Sequence, residues 1–131
     1  MFMRYYDMNK ILMTKFPELL YLYEKQFVFW GDDAPPQHCF FGAVLNEYLS
    51  TLLYENTDQQ MISRIFAFYE EMALSDDIEI RNMLQVTLLE YLWDDFVVFT
   101  NAMVYMLPET KRINEMIGEY LKKPAQQLLI N

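Results

Sequence analysis

IEIRNMLQVTLLEYLW, residues 78–93, contains neither glycine nor proline. Wound at about 100° per residue, its Ile80, Leu84, Val86, Leu88, Leu89, Tyr91 and Trp93 point in nearly every direction instead of along one stripe. A helix that is apolar all round is buried on several sides. The sequence therefore predicts that this segment lies at the centre of a helical bundle, with the other helices packed about it.

Aspartate pairs stand at both ends of the stretch. Asp76 precedes Glu79 by three residues, the acidic variant of a capping box, which predicts Asp76 as an N-cap contributing about 1 kcal/mol. Asp77 and Glu79 then fall in the first turn, where the helix dipole favours anions. At the other end, one of Asp94 and Asp95 serves as the cap of the next helix, "FVVFTNAMVYML". The second aspartate has no local structural role.

The flanking segments are helical too. Between Gln37 and Glu55, the residues Phe41, Val44, Leu45, Tyr48, Leu49 and Leu52 recur at three and four. Thr57 and Gln60 have the spacing of a capping box for a helix whose stripe is Ile62, Ile65, Phe66, Tyr69, Met72 and Ala73. Pro17 restarts a helix carrying Leu19, Leu20, Leu22, Tyr23 and Phe27. Pro108 starts a last one with Ile113, Met116, Ile117, Tyr120 and Leu121 as its predicted buried stripe. "VFWGDDAPPQHC", residues 28–39, holds the only Pro-Pro pair and is the expected long, mobile connection.

Three glycines and five prolines in 131 residues are few for an all-β fold. With 53% hydrophobic residues, the chain has material for one core. The expected fold is all-α: a single domain over 1–131, built as a compact bundle of about six to seven helices with HEAT-like stacking of antiparallel helix pairs. Residues 1–6 and 125–131 are expected to be flexible ends.

Charge and chemistry narrow the function. A net charge of −9 argues against nucleic acid as a partner, because binding phosphates needs Lys and Arg to displace counterions. The lone cysteine rules out an internal disulfide framework, and the first residues lack the pattern of a signal peptide, so a cytoplasmic location is expected. No stretch is long and apolar enough to predict a membrane span. His38 and Cys39 are adjacent, and neighbours on a helix diverge by about 100°, so they do not form a nucleophile and base. One His and one Cys are too few ligands for structural zinc, and no glycine-rich phosphate loop, calcium loop or nucleophile elbow is present. No catalytic residue, cofactor or metal ligand is expected.

"FFGAVLNEYLSTLLYEN", "RIFAFYEEMALSDDIEIRNMLQVTLLEYLWDD" and "YMLPETKRINEMIGEYL" resemble a family of small, uncharacterised bacterial all-helical proteins similar to the immunity proteins of polymorphic toxin systems. The resemblance spans about residues 16 to 122; the "FMRYYD" beginning and the "AQQLLIN" end depart from it. It implies a non-catalytic neutraliser of a cognate toxin domain. On that reading, a basic protein partner is steered by Asp32, Asp33, Glu70, Glu71, Asp76, Asp77, Asp94 and Asp95 and anchored by exposed Trp30 and Tyr69, with helix ends and the loop after residue 30 aligned on one edge. The alternative is a HEAT-like regulatory or structural adaptor that binds another host or phage protein through an apolar patch. A homodimer is compatible with so aromatic a chain.

Overall fold

The computed structural model describes residues 3–121. Among these the fold is all-α, with seven helices. Helix α1 (Met8–Lys15) leads through a short turn at Pro17–Leu19 into α2 (Leu20–Trp30). Helix α3 is continuous over 37–55, but its middle, Gly42–Asn46, is wound as π-helix between the α-helical pieces Gln37–Phe41 and Glu47–Glu55. Helix α4 is Gln59–Ala73. Helix α5, over 78–92, has the same construction as α3: Ile78–Asn82, then a π segment Met83–Leu89, then Glu90–Leu92. Helices α6 (Phe96–Tyr105) and α7 (Pro108–Tyr120) complete the bundle. No helix of the described residues is long and apolar enough to cross a membrane.

Helix α5 packs against α3, α4, α6 and α7, as expected of a central element. It is not apolar all round, however. Ile80, Met83, Leu84, Leu88, Leu89 and Leu92 are buried, whereas Val86 is 48% and Tyr91 40% exposed, and Ile78 also faces solvent. For Tyr91 the cause is the π segment. Bonds from i to i+5 take more residues per revolution than an α-helix, so uniform winding assigns wrong directions from Met83 onward. The same drift in α3 buries Leu53 and leaves Leu52 only half-buried.

The two π segments face each other. A Cβ added to Gly42 would lie 3.3 Å from Thr87 Cγ2, a contact that only a glycine keeps slack. The Asn46 amide donates to the Thr87 carbonyl at 3.0 Å, and Thr87 Oγ1 lies 2.6 Å from His38 Nδ1. These contacts fix the rotation of α3 against α5.

The outer helices are tied in by polar side chains at core positions. The Trp93 indole N–H donates to Asn114 Oδ1 at 3.0 Å, and its ring lies 4.2 Å from that of Phe99. Glu70 on α4 accepts from the backbone N–H of Glu109 at 3.0 Å and of Thr110 at 2.8 Å, and from the Thr110 hydroxyl at 2.9 Å. A carboxylate from another helix thus caps the start of α7. The buried stripe of α7 is Thr110, Ile113, Asn114 and Ile117, and the expected Met116 and Tyr120 face solvent. Two of those four core positions are polar because Glu70 and Trp93 bond them.

Other local expectations shift as well. Asp77, not Asp76, caps α5, its Oδ1 accepting from Glu79 N at 3.0 Å. Asp58, not Thr57, caps α4, with Asn56 and Asp58 both in the left-handed region that Asn and Asp tolerate. The irregular connection shrinks to residues 31–36, because α2 runs on to Trp30 and stops at Gly31, whose φ of +63° suits glycine. Of the beginning expected to be loose, residues 3–5 are part of the fold: Met3 is buried and the Tyr5 N–H donates to Asp77 Oδ2 at 2.9 Å, while residues 1–2 lie outside the described residues. The expected loose end at 125–131 lies outside the described residues.

Two substitutions test this packing. The Tyr69 hydroxyl is buried with no hydrogen-bond partner among the described residues. Tyr69→Phe therefore removes an uncompensated polar group and should raise unfolding free energy by about 1 kcal/mol in urea titration; a lower value would mean that the hydroxyl is satisfied. Gly118→Ala would place a Cβ 3.0 Å from Trp93 Cη2. With the indole pinned at both ends, that variant should lose roughly 1–3 kcal/mol and change the tryptophan emission.

Candidate partner-binding site

The C-terminal end of α3 and the junction between α5 and α6 enclose an open groove of ≈ 370 Å³ lined by Ser50, Thr51, Tyr54, Glu55, Tyr91, Asp94, Asp95 and Val98. Its walls are held by the Asn101 amide, which donates to the Leu53 carbonyl at 2.8 Å and so ties α6 to the last turn of α3. Three carboxylates and two exposed tyrosines meet here, with Val98 at the buried floor.

The two aspartates divide their labour. Asp95 is the N-cap of α6, its Oδ1 accepting from Val97 N at 2.9 Å and from Val98 N at 3.0 Å. Asp94 is exposed, and among the described residues no group donates to its carboxylate. The capping role was readable from sequence, and the leftover aspartate proves to be the one whose carboxylate receives no hydrogen bond among the described residues. Tyr54 and Glu55 were missed, although a signal existed: Tyr54 falls off the apolar stripe of its helix, so its ring must face outward, and it is 59% exposed. Tyr91 was missed because uniform winding put it inside.

The remaining expected contact residues do not join this site. Tyr69 is fully buried, with burial pushing its hydroxyl well above the ordinary tyrosine range, so it cannot anchor a partner. It follows the core stripe of α4 like Phe66 and Met72. Glu70 is occupied as the cap of α7, and Glu71 pairs with Lys15 at 3.1 Å. Asp77 is engaged by Tyr5 and Glu79, whereas Asp76 is exposed. Helix α5 separates the pair Asp76 and Asp77 from Asp94 and Asp95 by roughly 20 Å, so no single edge collects both. Asp32 and Asp33 are exposed in the loop after α2, and Trp30 beside them is part-buried with its indole N–H unpartnered among the described residues.

A second pocket, between α2, α3 and α4, is lined by Glu18, Tyr21, Tyr48, Asp58 and Arg64 among others. Its charges are internally spent. Arg64 donates to both Glu18 oxygens, at 2.6 and 3.3 Å, and to the Lys15 carbonyl at 3.0 Å, and this holds the Glu18 carboxyl below its ordinary range. In the α3/α5/α6 groove only Asp95 is engaged, as a cap, and the carboxylates of Glu55 and Asp94 have no donor among the described residues. Among the described residues, no three His, Cys, Asp or Glu side chains are grouped to hold a metal ion.

The features define an all-α protein with an acidic, tyrosine-lined groove at one end of its central helix. A family model described as Domain of unknown function (DUF7674) matches residues 9–130, and the chain belongs to that family. No curated protein and no solved structure matches it.

The two aspartates should separate experimentally. Asp95→Ala removes a cap and is expected to cost about 1 kcal/mol, whereas Asp94→Ala should leave the melting curve unchanged. Equal losses in chemical denaturation would reject the division of roles.

Proposed function

We propose that this chain is a non-catalytic binding protein whose α3/α5/α6 groove receives a basic side chain or segment of a partner protein. The observation that carries the reading is the meeting of Asp94, Asp95 and Glu55 with exposed Tyr54 and Tyr91 in one open groove. Tyrosine is a rigid anchor with an apolar body and a polar tip, and its ring face attracts Arg or Lys. The carboxylates of Glu55 and Asp94 beside it, bonded by no described group, complement the cation and steer its approach, helped by the net charge of −9. Together with the resemblance to immunity proteins, this supports a cytosolic neutraliser that occludes a basic toxin domain.

A second reading is favoured by one observation. Phe96, Val97 and Val104 are exposed on α6, with Val98 and Ala102 its only buried residues. An adaptor binding another host or phage protein would use that apolar face instead.

Affinity capture from the source cell, followed by mass spectrometry, supplies the partner. Glu55→Lys with Asp94→Lys should then slow association by about tenfold or more, and the wild-type rate should fall steeply with added salt. A captured partner whose association ignores both changes would reject the groove and favour the apolar face of α6. The toxin reading fails separately if the captured protein does not inhibit growth when expressed alone.

A further inference from the structure

The groove at α3, α5 and α6 presents its charges in a pattern that selects among cations. One wall is the last turn of α3, which contributes Tyr54 and Glu55; the other is the junction of α5 and α6, which contributes Tyr91, Asp94 and Asp95. Each wall thus supplies a tyrosine and at least one carboxylate. Among the described residues no Lys, Arg or His lines the groove, so no cation of the chain stands among these acids as Arg64 stands beside Glu18. Asp95 is fixed by the two N–H groups that its Oδ1 accepts, and its Oδ2 accepts none among the described residues. Val98 gives the floor an apolar surface.

Which cation fits follows from the spacing of these groups. The three carboxylates share one groove, yet they are not grouped to hold a metal ion. A hard divalent ion gathers its oxygens around one point, and a lysine ammonium is likewise a compact point charge. Neither meets all three acids at once. A quaternary ammonium is attracted to tyrosine faces but has no N–H to give the carboxylates. A guanidinium carries donors around the edge of a plane, so it bonds acids lying in different directions while its face rests on a tyrosine ring. Its methylene stem is apolar and suits the Val98 floor.

We propose that the groove is a receptor for one arginine side chain of the partner, its guanidinium edge bonded to Glu55 and Asp94 from the two walls and its face against tyrosine. This assignment rests on the groove being the surface that binds the partner, and it narrows that contact from basic residues in general to arginine. Asp95 holds the second wall in place through its cap and adds negative charge from behind.

Titration of the full chain with Nα-acetyl-arginine amide, followed by amide NMR, tests this against Nα-acetyl-lysine amide and choline, which carry the same single charge. The arginine compound should shift the amides of Tyr54, Glu55, Tyr91 and Asp94 and saturate in the millimolar range, as suits one side chain. The lysine compound and choline should bind there about tenfold or more weakly. Glu55→Gln with Asp94→Asn, at two exposed positions outside any cap, should weaken the arginine compound about tenfold with an unchanged melting curve. Tyr54→Leu should weaken it several-fold. Equal binding of the lysine compound overturns the arginine assignment and leaves the groove as a site for basic side chains in general. Tighter binding of choline overturns it in favour of an aromatic cage. Shifts that never saturate, or that are as large at Asp32 and Asp76, mean that net charge alone attracts the cation, and they overturn it too. Whether the partner uses this groove is decided separately, by its association rate with the Glu55→Lys, Asp94→Lys variant.

Discussion

Thr87 is the point on which the arrangement of the bundle turns. Its carbonyl takes the Asn46 amide, its hydroxyl lies against His38 Nδ1, and its methyl group occupies the space left by Gly42. All four residues lie in or beside π-wound segments of the two longest interrupted helices. A π turn carries a local cost and persists where the surroundings compensate. Here each distorted turn is the surrounding of the other. Their engagement sets the rotation of α3 and α5 about their axes, which decides that Leu53 and Leu92 point inward while Tyr54 and Tyr91 point into the groove.

That constraint also explains how far the sequence could be read. Periodicity located the helices, since runs such as Ile62, Ile65, Phe66, Tyr69, Met72 and Ala73 match regular α-winding and are all buried. It failed in direction where the winding changed, as for Tyr91, because a one-residue insertion into a turn leaves no mark on composition. It failed in burial at Thr110 and Asn114, polar residues at core positions whose partners, Glu70 and Trp93, lie 40 and 21 residues away along the chain. Local patterns carry no information about bonds that only the fold creates.

The acidic residues show the same limit from the functional side. Eight were expected to share a surface, and structure distributes them by employment. Asp77, Glu70 and Asp95 accept backbone N–H groups at helix starts, Glu71 pairs with Lys15, and Asp94 remains for contact with something else. Only the last pair in the chain reaches the groove, joined there by Glu55 and by two tyrosines whose helical positions lie off the core stripe. Capping is a local event and was legible to within one residue; convergence of α3 with α5 and α6 is not local and was not.

The cap that Glu70 provides for α7 has a consequence for the order in which the chain can organise itself. Donors at Glu109 and Thr110 are bonded by a side chain made some forty residues earlier, and no side-chain cap comes from the residue next to the helix. Before α7 docks, the Glu70 carboxylate on α4 is left to water, and α7 gains its capped start only by docking. Detaching α7 would therefore uncover a face of α4 and its carboxylate together.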